Sequence, residues 1–238
     1  MNFAEENRVA QRIDFLKRID LSIYRTILFD CDGVILNSNS LKTEAFFEVA
    51  RKYSNQAAYM LRDYHLENGG ISRNVKFKYF VENLLGISKS DELISEMIID
   101  FSRAVSDKLL SCEMTSALSV LKSQNHTSKW AVISGGNQAE LRSIFQTRQI
   151  DHYFELGIYG SPTPKDEIMS QLSGEDIFVG PILYIGDSEY DFQIASEMGI
   201  DFVFISEWTE FKKWRAFCSE KSIPHVRTLA HLVSNQTK

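Results

Sequence analysis

Five short apolar runs constrain the fold of this chain more than any other feature of its sequence. They lie at residues 26–29, 130–133, 156–159, 182–185 and 202–205. Runs of this length, rich in β-branched and aromatic residues, are typical of strands buried on both faces of a parallel sheet. Helical patterns follow the second, third and fourth runs, at residues 138–147, 165–172 and 191–198. This alternation predicts a doubly wound, Rossmann-like α/β domain.

Roughly a hundred residues separate the first run from the second and show no strand-like pattern. Four helices are predicted there instead, at residues 41–53, 56–67, 73–85 and 91–110. The third and fourth carry apolar residues close to the i, i+3, i+4, i+7 spacing, so the four are expected to pack against one another. The sequence therefore predicts a helical insertion at 39–112 within an α/β core formed by 21–38 and 113–238.

Residues 1–20 are predicted to form a helical extension. Val9, Ile13 and Leu16 follow helical spacing, which favours an amphipathic helix packed on the main domain, with a partner-binding helix as the alternative. Charges recur every few residues, so the segment lacks the apolar stretch of a secretory signal. No apolar stretch reaches the ~18 residues typical of a membrane span. We therefore expect a cytoplasmic protein without a membrane partner.

The charge balance and the cysteines restrict the partners further. The formal net charge is -6, with 26 Lys and Arg against 32 Asp and Glu, which argues against nucleic-acid binding. The three cysteines lack the spacing of a zinc site or a disulfide framework and suit a reducing compartment. A monomer or a small homo-oligomer is expected.

Polar residues follow the apolar runs at the positions where the predicted strands end. They are Asp30 and Asp32 after the first run, Ser134 and Gly135 after the second, Lys165 after the third, and Asp187 and Asp191 after the fourth. The carboxyl ends of parallel strands meet at one edge of a sheet, and ligands bind there near the point where strand order reverses. We therefore expect these residues to converge on one crevice.

Four carboxylates in one crevice would repel one another unless a cation lay among them. Hard oxygen ligands suit Mg²⁺, which completes its octahedron with waters and substrate oxygens. A phosphate would fit beside such an ion. Ser134, the amides of the glycines after it and Lys165 would supply hydrogen-bond donors and a positive charge to that phosphate.

These residues form four motifs that resemble those of the haloacid dehalogenase superfamily of phosphotransferases. DCDGV begins at Asp30, Ser134 and Lys165 provide the second and third motifs, and GDSEYD provides the fourth. They occur in the family's order, each after a predicted strand, across most of the chain. The helical insertion resembles the cap of the branch that contains β-phosphoglucomutase and phosphoglycolate phosphatase.

The resemblance implies a role for each motif. Asp30 would be the nucleophile that forms an aspartyl-phosphate, and Asp32 the general acid and then the general base. Mg²⁺ would be held by Asp30, the backbone carbonyl of Asp32 and Asp187, with Asp191 in support. Ser134, Gly135 and Lys165 would bind the transferring phosphoryl group; the residues in catalytic roles are thus Asp30, Asp32, Ser134 and Lys165.

These roles predict a Mg²⁺-dependent phosphatase acting on a small phosphorylated metabolite, with a sugar phosphate as the favoured class. An acid at Asp32 suits an alkoxide leaving group, which needs a proton, better than a halide, which does not. A β-phosphoglucomutase-like mutase is an alternative, although Gly186 stands where the mutase pattern has a second acidic metal ligand. A non-catalytic binding protein on the same fold is the third possibility.

The cap contributes candidate substrate-binding residues. The stretch NGGISR, residues 68–73, resembles the Gly-x-Ser-Arg/Lys loop of sugar-phosphate members. In it Ser72 would cap the following helix and Arg73 would reach a substrate anion. Lys42 is a further candidate, with a solvated lysine as its alternative. His65 is predicted to lie on a helix surface.

Overall fold

A six-stranded, wholly parallel sheet forms the centre of the computed structural model, which describes residues 19–88, 90–175 and 177–233. Its strands are β1 (Thr26–Phe29), β2 (Lys129–Asn137), β3 (Gly157–Ser161), β4 (Ile182–Gly186), β5 (Asp201–Ile205) and β6 (His225–Val226). Their order is β3-β2-β1-β4-β5-β6. The helix predicted within residues 1–20 falls almost entirely on residues 1–18, which lie outside the described residues.

Four helices follow β1 within residues 39–112 of the described ranges, as predicted. They are α1 (Asn39–Ala50), α2 (Asn55–Glu67), α3 (Arg73–Tyr79) and α4 (Asp91–Ser111), called the cap helices below. The third was predicted to run unbroken over residues 73–85, but its backbone changes to a π-helical turn at Phe80–Leu84. The boundaries of the insertion at 39 and 112 stay a prediction.

The remaining helices flank the sheet. They are α5 (Leu118–Gln124), α6 (Gln138–Thr147), α7 (Lys165–Gly174), α8 (Glu189–Glu197) and α9 (Trp214–Glu220), with 3-10 turns at Leu21–Ile23, Asp151–Tyr153 and Leu229–Leu232. The prediction of a doubly wound α/β core is confirmed. Neither α9 nor β6 was predicted, because seven and two residues are too short to show a clear period.

Two apolar cores cover the two faces of the sheet. One joins β1 and β2 to the cap helices and includes Phe29, Trp130, Phe46, Phe77 and Phe101. The ring of Phe46 has its centroid 5.1 Å from that of Phe77 and 4.5 Å from that of Phe101, distances at which aromatic pairs stabilise a core beyond their buried area. The other core covers the opposite face, between β4, β5, α7 and α8. The cap helices are thus packed on the sheet through a continuous apolar core.

The strand order reverses beside β1. After β1 the chain passes to β2 and β3 on one side and then returns to β4, β5 and β6 on the other. A crevice opens at the carboxyl ends of the strands at such a reversal. The pairing of β2 with β3 also shifts register between Ile133 and Asn137, so the strand is irregular where it passes this edge.

None of the helices within the described ranges is long and apolar enough to cross a membrane. Cytoplasmic location stays a prediction.

Candidate active site

The ammonium of Lys165 lies between two carboxylates at the carboxyl edge of the sheet. Its Nζ is 2.9 Å from Asp30 Oδ2 and 2.7 Å from Asp191 Oδ1. Asp30 follows β1, Lys165 begins α7 after β3, and Asp191 lies in the first turn of α8 after β4. Burial favours a neutral amine, but Asp191 and Asp30 outweigh it and raise the pKa of Lys165 well above its ordinary value. Lys165 is therefore a fixed positive charge.

Both oxygens of Asp191 are occupied by donors. Its Oδ1 accepts hydrogen bonds from Lys165 and from the Tyr184 hydroxyl at 2.9 Å. Its Oδ2 accepts from the backbone N–H of Ser188 at 3.2 Å and from the Ser188 hydroxyl at 2.6 Å. Gly186 is required beside it, because a Cβ at that position would overlap the Asp191 carboxyl group. Asp191 therefore orients Lys165 and has little capacity left for a metal.

Asp187 lies on the other side of the crevice and is held by α1. Its Oδ2 accepts a hydrogen bond at 2.7 Å from Asn39 Nδ2, which also donates to the Trp208 carbonyl at 2.9 Å. Gly33 has a φ of +76°, and a Cβ there would overlap both Asp187 and Asn39. Asn39 was not predicted as a site residue. A lone asparagine carries no spacing signal, and only the tertiary structure brings it to Asp187.

The Asp32 carboxylate has two donors of its own. Its Oδ1 accepts from the Ser38 hydroxyl at 2.5 Å and its Oδ2 from Lys42 Nζ at 2.5 Å. Burial favours the neutral form, but the charge and hydrogen bond of Lys42 and the hydrogen bond of Ser38 hold the pKa of Asp32 below its usual value. Lys42 is buried against the carboxylate rather than solvated, which rules out the alternative given above for that residue.

The acidic residues fit a divalent cation. Oxygens of Asp30, Asp187 and Asp191 lie within 4.8 Å of one another. Since Asp191 is already saturated, Asp30, Asp187 and the backbone carbonyl of Asp32 are the donors we propose for the ion. Burial, followed by repulsion between the carboxylates, raises the pKa of Asp30 to about 7 and that of Asp187 well above its ordinary value. Such crowding is what bound Mg²⁺ would relieve.

The predicted phosphate-binding residues lie at the end of β2. Ser134 is fully buried, and its hydroxyl accepts a hydrogen bond at 3.0 Å from the Gly136 amide. Gly135 and Gly136 line the cavity described next, whereas Ser134 and Lys165 lie behind its wall. A Cβ at Gly135 would overlap the carbonyl oxygen of Gly70 in the cap. The glycine at 135 therefore permits the close approach of cap and core.

A cavity of about 310 Å³ lies between the sheet edge and the cap helices. Its core side includes Asp30, Asp32 and Asp187, and its cap side includes residues 65–71. A volume of this size suits a small ligand. The three carboxylates and the cap therefore face one another across a single cavity.

Arg73 lines this cavity but already has a partner in the core. Its Nη1 and Nη2 donate to the Glu140 carboxylate at 3.0 and 2.5 Å, and Nη1 also donates to Ser102 Oγ at 2.8 Å. The guanidinium lies 4.7 Å from the centroid of the Phe101 ring. This bidentate pair joins α3 to α6 and was not predicted, because Glu140 is distant in sequence and belongs to no motif.

Two predictions about cap side chains are wrong. Ser72 occupies the position before α3, but its side chain makes no capping hydrogen bond. His65 does not point away from the site: it lines the cavity, and its Nδ1 lies 2.7 Å from Lys76 Nζ. Helical periodicity placed His65 on the surface of α2, but the packing of α2 against α3 encloses that face.

The raised pKa of Asp30 generates a prediction about stability. Because the folded pKa of about 7 exceeds the unfolded value, wild-type protein in chelator should lose stability as pH rises from about 4 to about 7. Asp30→Asn removes the titrating carboxyl group and therefore its contribution to this loss of stability. The free energy of unfolding of Asp30→Asn relative to wild type should therefore rise with pH, by at most ~1.4 kcal/mol per unit.

Urea unfolding in chelator at pH 5 and pH 7.5 measures this difference. Asp107→Asn, an exposed site on α4, is the control and should show no such trend. The prediction would be contradicted if Asp30→Asn and wild type differed in free energy of unfolding by the same amount at both pH values.

Comparisons with known proteins agree with this geometry. Residues 27–205 match the model of a family described as haloacid dehalogenase-like hydrolase. No curated protein matches this chain.

Solved structures share the fold at low sequence identity. A haloacid dehalogenase-like hydrolase from Bacteroides fragilis is 20% identical with a TM-score of 0.64, covering 88% of this chain and 100% of that one. A β-phosphoglucomutase from Clostridium difficile is 16% identical with a TM-score of 0.65, covering 88% and 93%. A predicted phosphoglycolate phosphatase from Haemophilus somnus is 19% identical with a TM-score of 0.60, covering 78% and 87%.

The family match extends from β1 to the end of β5 and so includes all four motifs and the cap helices. The expectation raised by those motifs is confirmed: this chain belongs to the haloacid dehalogenase-like hydrolase family.

Proposed function

We propose that this protein is a Mg²⁺-dependent phosphatase that hydrolyses a small phosphate monoester through an aspartyl-phosphate. The observation that carries the proposal is the pairing of Asp30 with Lys165 at 2.9 Å, beside Asp187 and at a cavity covered by the cap helices. A carboxylate held next to a fixed cation can approach an anionic phosphate that would otherwise repel it. A sugar phosphate or phosphorylated sugar acid is the substrate class.

In the first step an oxygen of Asp30 attacks phosphorus. The new bond joins Asp30 to phosphorus, the bond from phosphorus to the ester oxygen breaks, and Asp32 donates a proton to that oxygen. In the second step water attacks the aspartyl-phosphate while Asp32 accepts a proton from it. Asp30 is restored and inorganic phosphate leaves, so atoms and charge balance over the two steps.

Mg²⁺ bound by Asp30, Asp187 and the Asp32 carbonyl would neutralise charge that develops on the phosphoryl oxygens. Lys165 supplies a second positive charge through its position against Asp30. The amides after Ser134 are the donors proposed for the remaining phosphoryl oxygens. These groups are held in place before substrate arrives, so little reorganisation accompanies the reaction.

The surroundings of Asp32 suit its change of role between the steps. Lys42 and Ser38 favour the carboxylate, which is the form needed to accept a proton from water. A dianionic phosphate bound beside it favours the neutral form, which is the form needed to protonate the leaving oxygen. The two donors also fix the carboxyl group in one orientation. The cap helices above it exclude water from the aspartyl-phosphate except at the point of attack.

The proposal predicts phosphate release that depends on Mg²⁺ and on Asp30. Purified protein is incubated with phosphorylated sugars, sugar acids and nucleotides, with Mg²⁺ or with chelator, beside Asp30→Asn. Release should require Mg²⁺ and fall below detection in Asp30→Asn. Turnover that appears only with a bisphosphate activator would favour the mutase, and metal-dependent ligand binding without any turnover would favour a binding protein.

The effect of Asp32→Asn on the first step should depend on the leaving group of the substrate. On an alkyl phosphate the kcat should fall by about 10²–10⁴, the usual contribution of a general acid. On p-nitrophenyl phosphate the first step needs no proton donor, so a burst of about one p-nitrophenolate per active site should precede slow turnover. Stopped-flow absorbance measures the burst. Equal losses on both substrates with no burst would contradict the role given to Asp32.

The contact of Arg73 with Glu140 predicts that Arg73 acts by holding the cap on the core. Arg73→Ala should raise KM at least several-fold, and Glu140→Gln should raise it by a similar factor. The double variant should be no worse than either single one, because both remove the same contact. Arg103→Ala, an exposed site on α4, is the control. A rise in KM confined to Arg73→Ala would show instead that Arg73 binds the substrate anion directly.

A further inference from the structure

A second basic group lies on the cap side of the cavity. Lys76 on α3 is 1% exposed, and its Nζ is 2.7 Å from Nδ1 of His65 on α2. The same Nζ lies 5.5 Å from the centroid of the Phe46 ring, against which the imidazole also packs at 4.6 Å. Lys76, His65 and Phe46 all line the cavity. None of them belongs to the motifs or to the catalytic roles described above.

Lys76 differs from the other buried basic residues in its partners. Within the described ranges the buried lysines and arginines are Lys42, Arg73, Lys76 and Lys165. Lys42 pairs with Asp32, Arg73 with Glu140, and Lys165 with Asp30 and Asp191. In those same ranges no carboxylate forms a salt bridge with Lys76. Its polar contact is the imidazole of His65. This imidazole is a weak base, and its protonated form would also be stabilised by a nearby negative charge.

An ammonium buried without a counter-charge is unfavourable for the fold. Burial, with the nearby charge of Lys42 adding to it, lowers the pKa of Lys76 to about 7, although the Asp32 and Glu210 carboxylates act in the opposite direction. Burial, followed by the charge of Lys76, lowers the pKa of His65 well below its ordinary value. An apolar side chain would fill the same position without this cost. Carboxylates line other parts of the cavity, but none of those in the described ranges forms a salt bridge with Lys76, so a ligand in the cavity can supply that contact.

Helix α1 gives the position of this group relative to the reaction centre. Lys42 contacts Asp32, and Phe46 lies four residues further along the same face of α1, about 6 Å away along the helix axis. Lys76 and His65 lie against Phe46. The part of a monoester beyond its ester oxygen would therefore extend over Phe46 toward Lys76 and His65.

From these contacts we infer that the substrate carries a second anionic group, a carboxylate or a second phosphate, which Lys76 and His65 bind. The inference rests on the proposed phosphatase function. It narrows the substrate class to phosphorylated acids and bisphosphates, and disfavours sugar phosphates whose only anionic group is the phosphate that is released. The anion completes the pairing that Lys76 lacks, and it fixes the ester oxygen near Asp32. Selectivity and orientation thus come from the same contact.

Matched substrates test the inference. The probes are 3-phosphoglycerate against glycerol 3-phosphate, which differ by a carboxylate, and fructose 1,6-bisphosphate against fructose 6-phosphate, which differ by a phosphate. Wild-type enzyme should prefer the more anionic member of at least one pair by about tenfold or more in kcat/KM, mainly through KM. The pair that shows the larger preference identifies the anion.

Lys76→Met should reduce that preference to about twofold or less, because the loss in kcat/KM falls mainly on the member that carries the second anion. Lys78→Met, an exposed lysine on the same helix, is the control and should keep the wild-type preference. Circular dichroism and thermal unfolding confirm that each variant is folded. If Lys76→Met does not fold, the preference of the wild-type enzyme still tests the inference.

The outcomes separate the inference from the function on which it rests. In one outcome, glycerol 3-phosphate and fructose 6-phosphate are hydrolysed as efficiently as 3-phosphoglycerate and fructose 1,6-bisphosphate. That result would overturn the inference of a second anionic group and leave the proposed phosphatase function intact. If Lys76→Met kept the wild-type preference for the more anionic substrate, Lys76 would not be the residue that binds the second anion. No phosphate release from any of the four compounds or from p-nitrophenyl phosphate would overturn the phosphatase itself.

Discussion

The buried ammonium of Lys165, held between Asp30 and Asp191, is the interaction on which the site depends. It joins the ends of three parallel strands, since each partner follows a different one. Carboxylates so close together in an interior of low polarity would otherwise favour their neutral forms or move apart. With the ammonium in place, Asp30 stays near the phosphate position, and Asp187 remains available for a metal ion.

Contacts between the cap and the core place the motif carboxylates and residues of the cap in one cavity. Lys42 from the cap hydrogen-bonds Asp32, and the backbone of Gly70 packs on Gly135. Arg73 pairs with Glu140 on the core helix α6. Each contact joins a residue of the cap to a residue of the core. The candidate site is therefore built from both the core and the cap.

The predictable part of the site comes from residues whose neighbours in sequence set their position. Asp30 and Asp32 directly follow an apolar run, and the parallel pairing of β1 with β2 and β4 brings the other motifs to the same edge. His65 and Lys76 have no such signal. Each lies on a helix where a charged residue is normally solvated, and only the packing of α2 against α3 buries them.

The sequence by itself determined the α/β architecture, the helical insertion and the set of catalytic motifs, because strand and helix periods and the residues at strand ends are local properties. Only the tertiary structure decided which side chains pair across elements: Asn39 with Asp187, Arg73 with Glu140, and Lys76 with His65. These pairs join residues on different elements, so their distances depend on how the helices pack. The motif residues can thus be identified from the sequence, whereas the pairs between elements follow only from the tertiary structure.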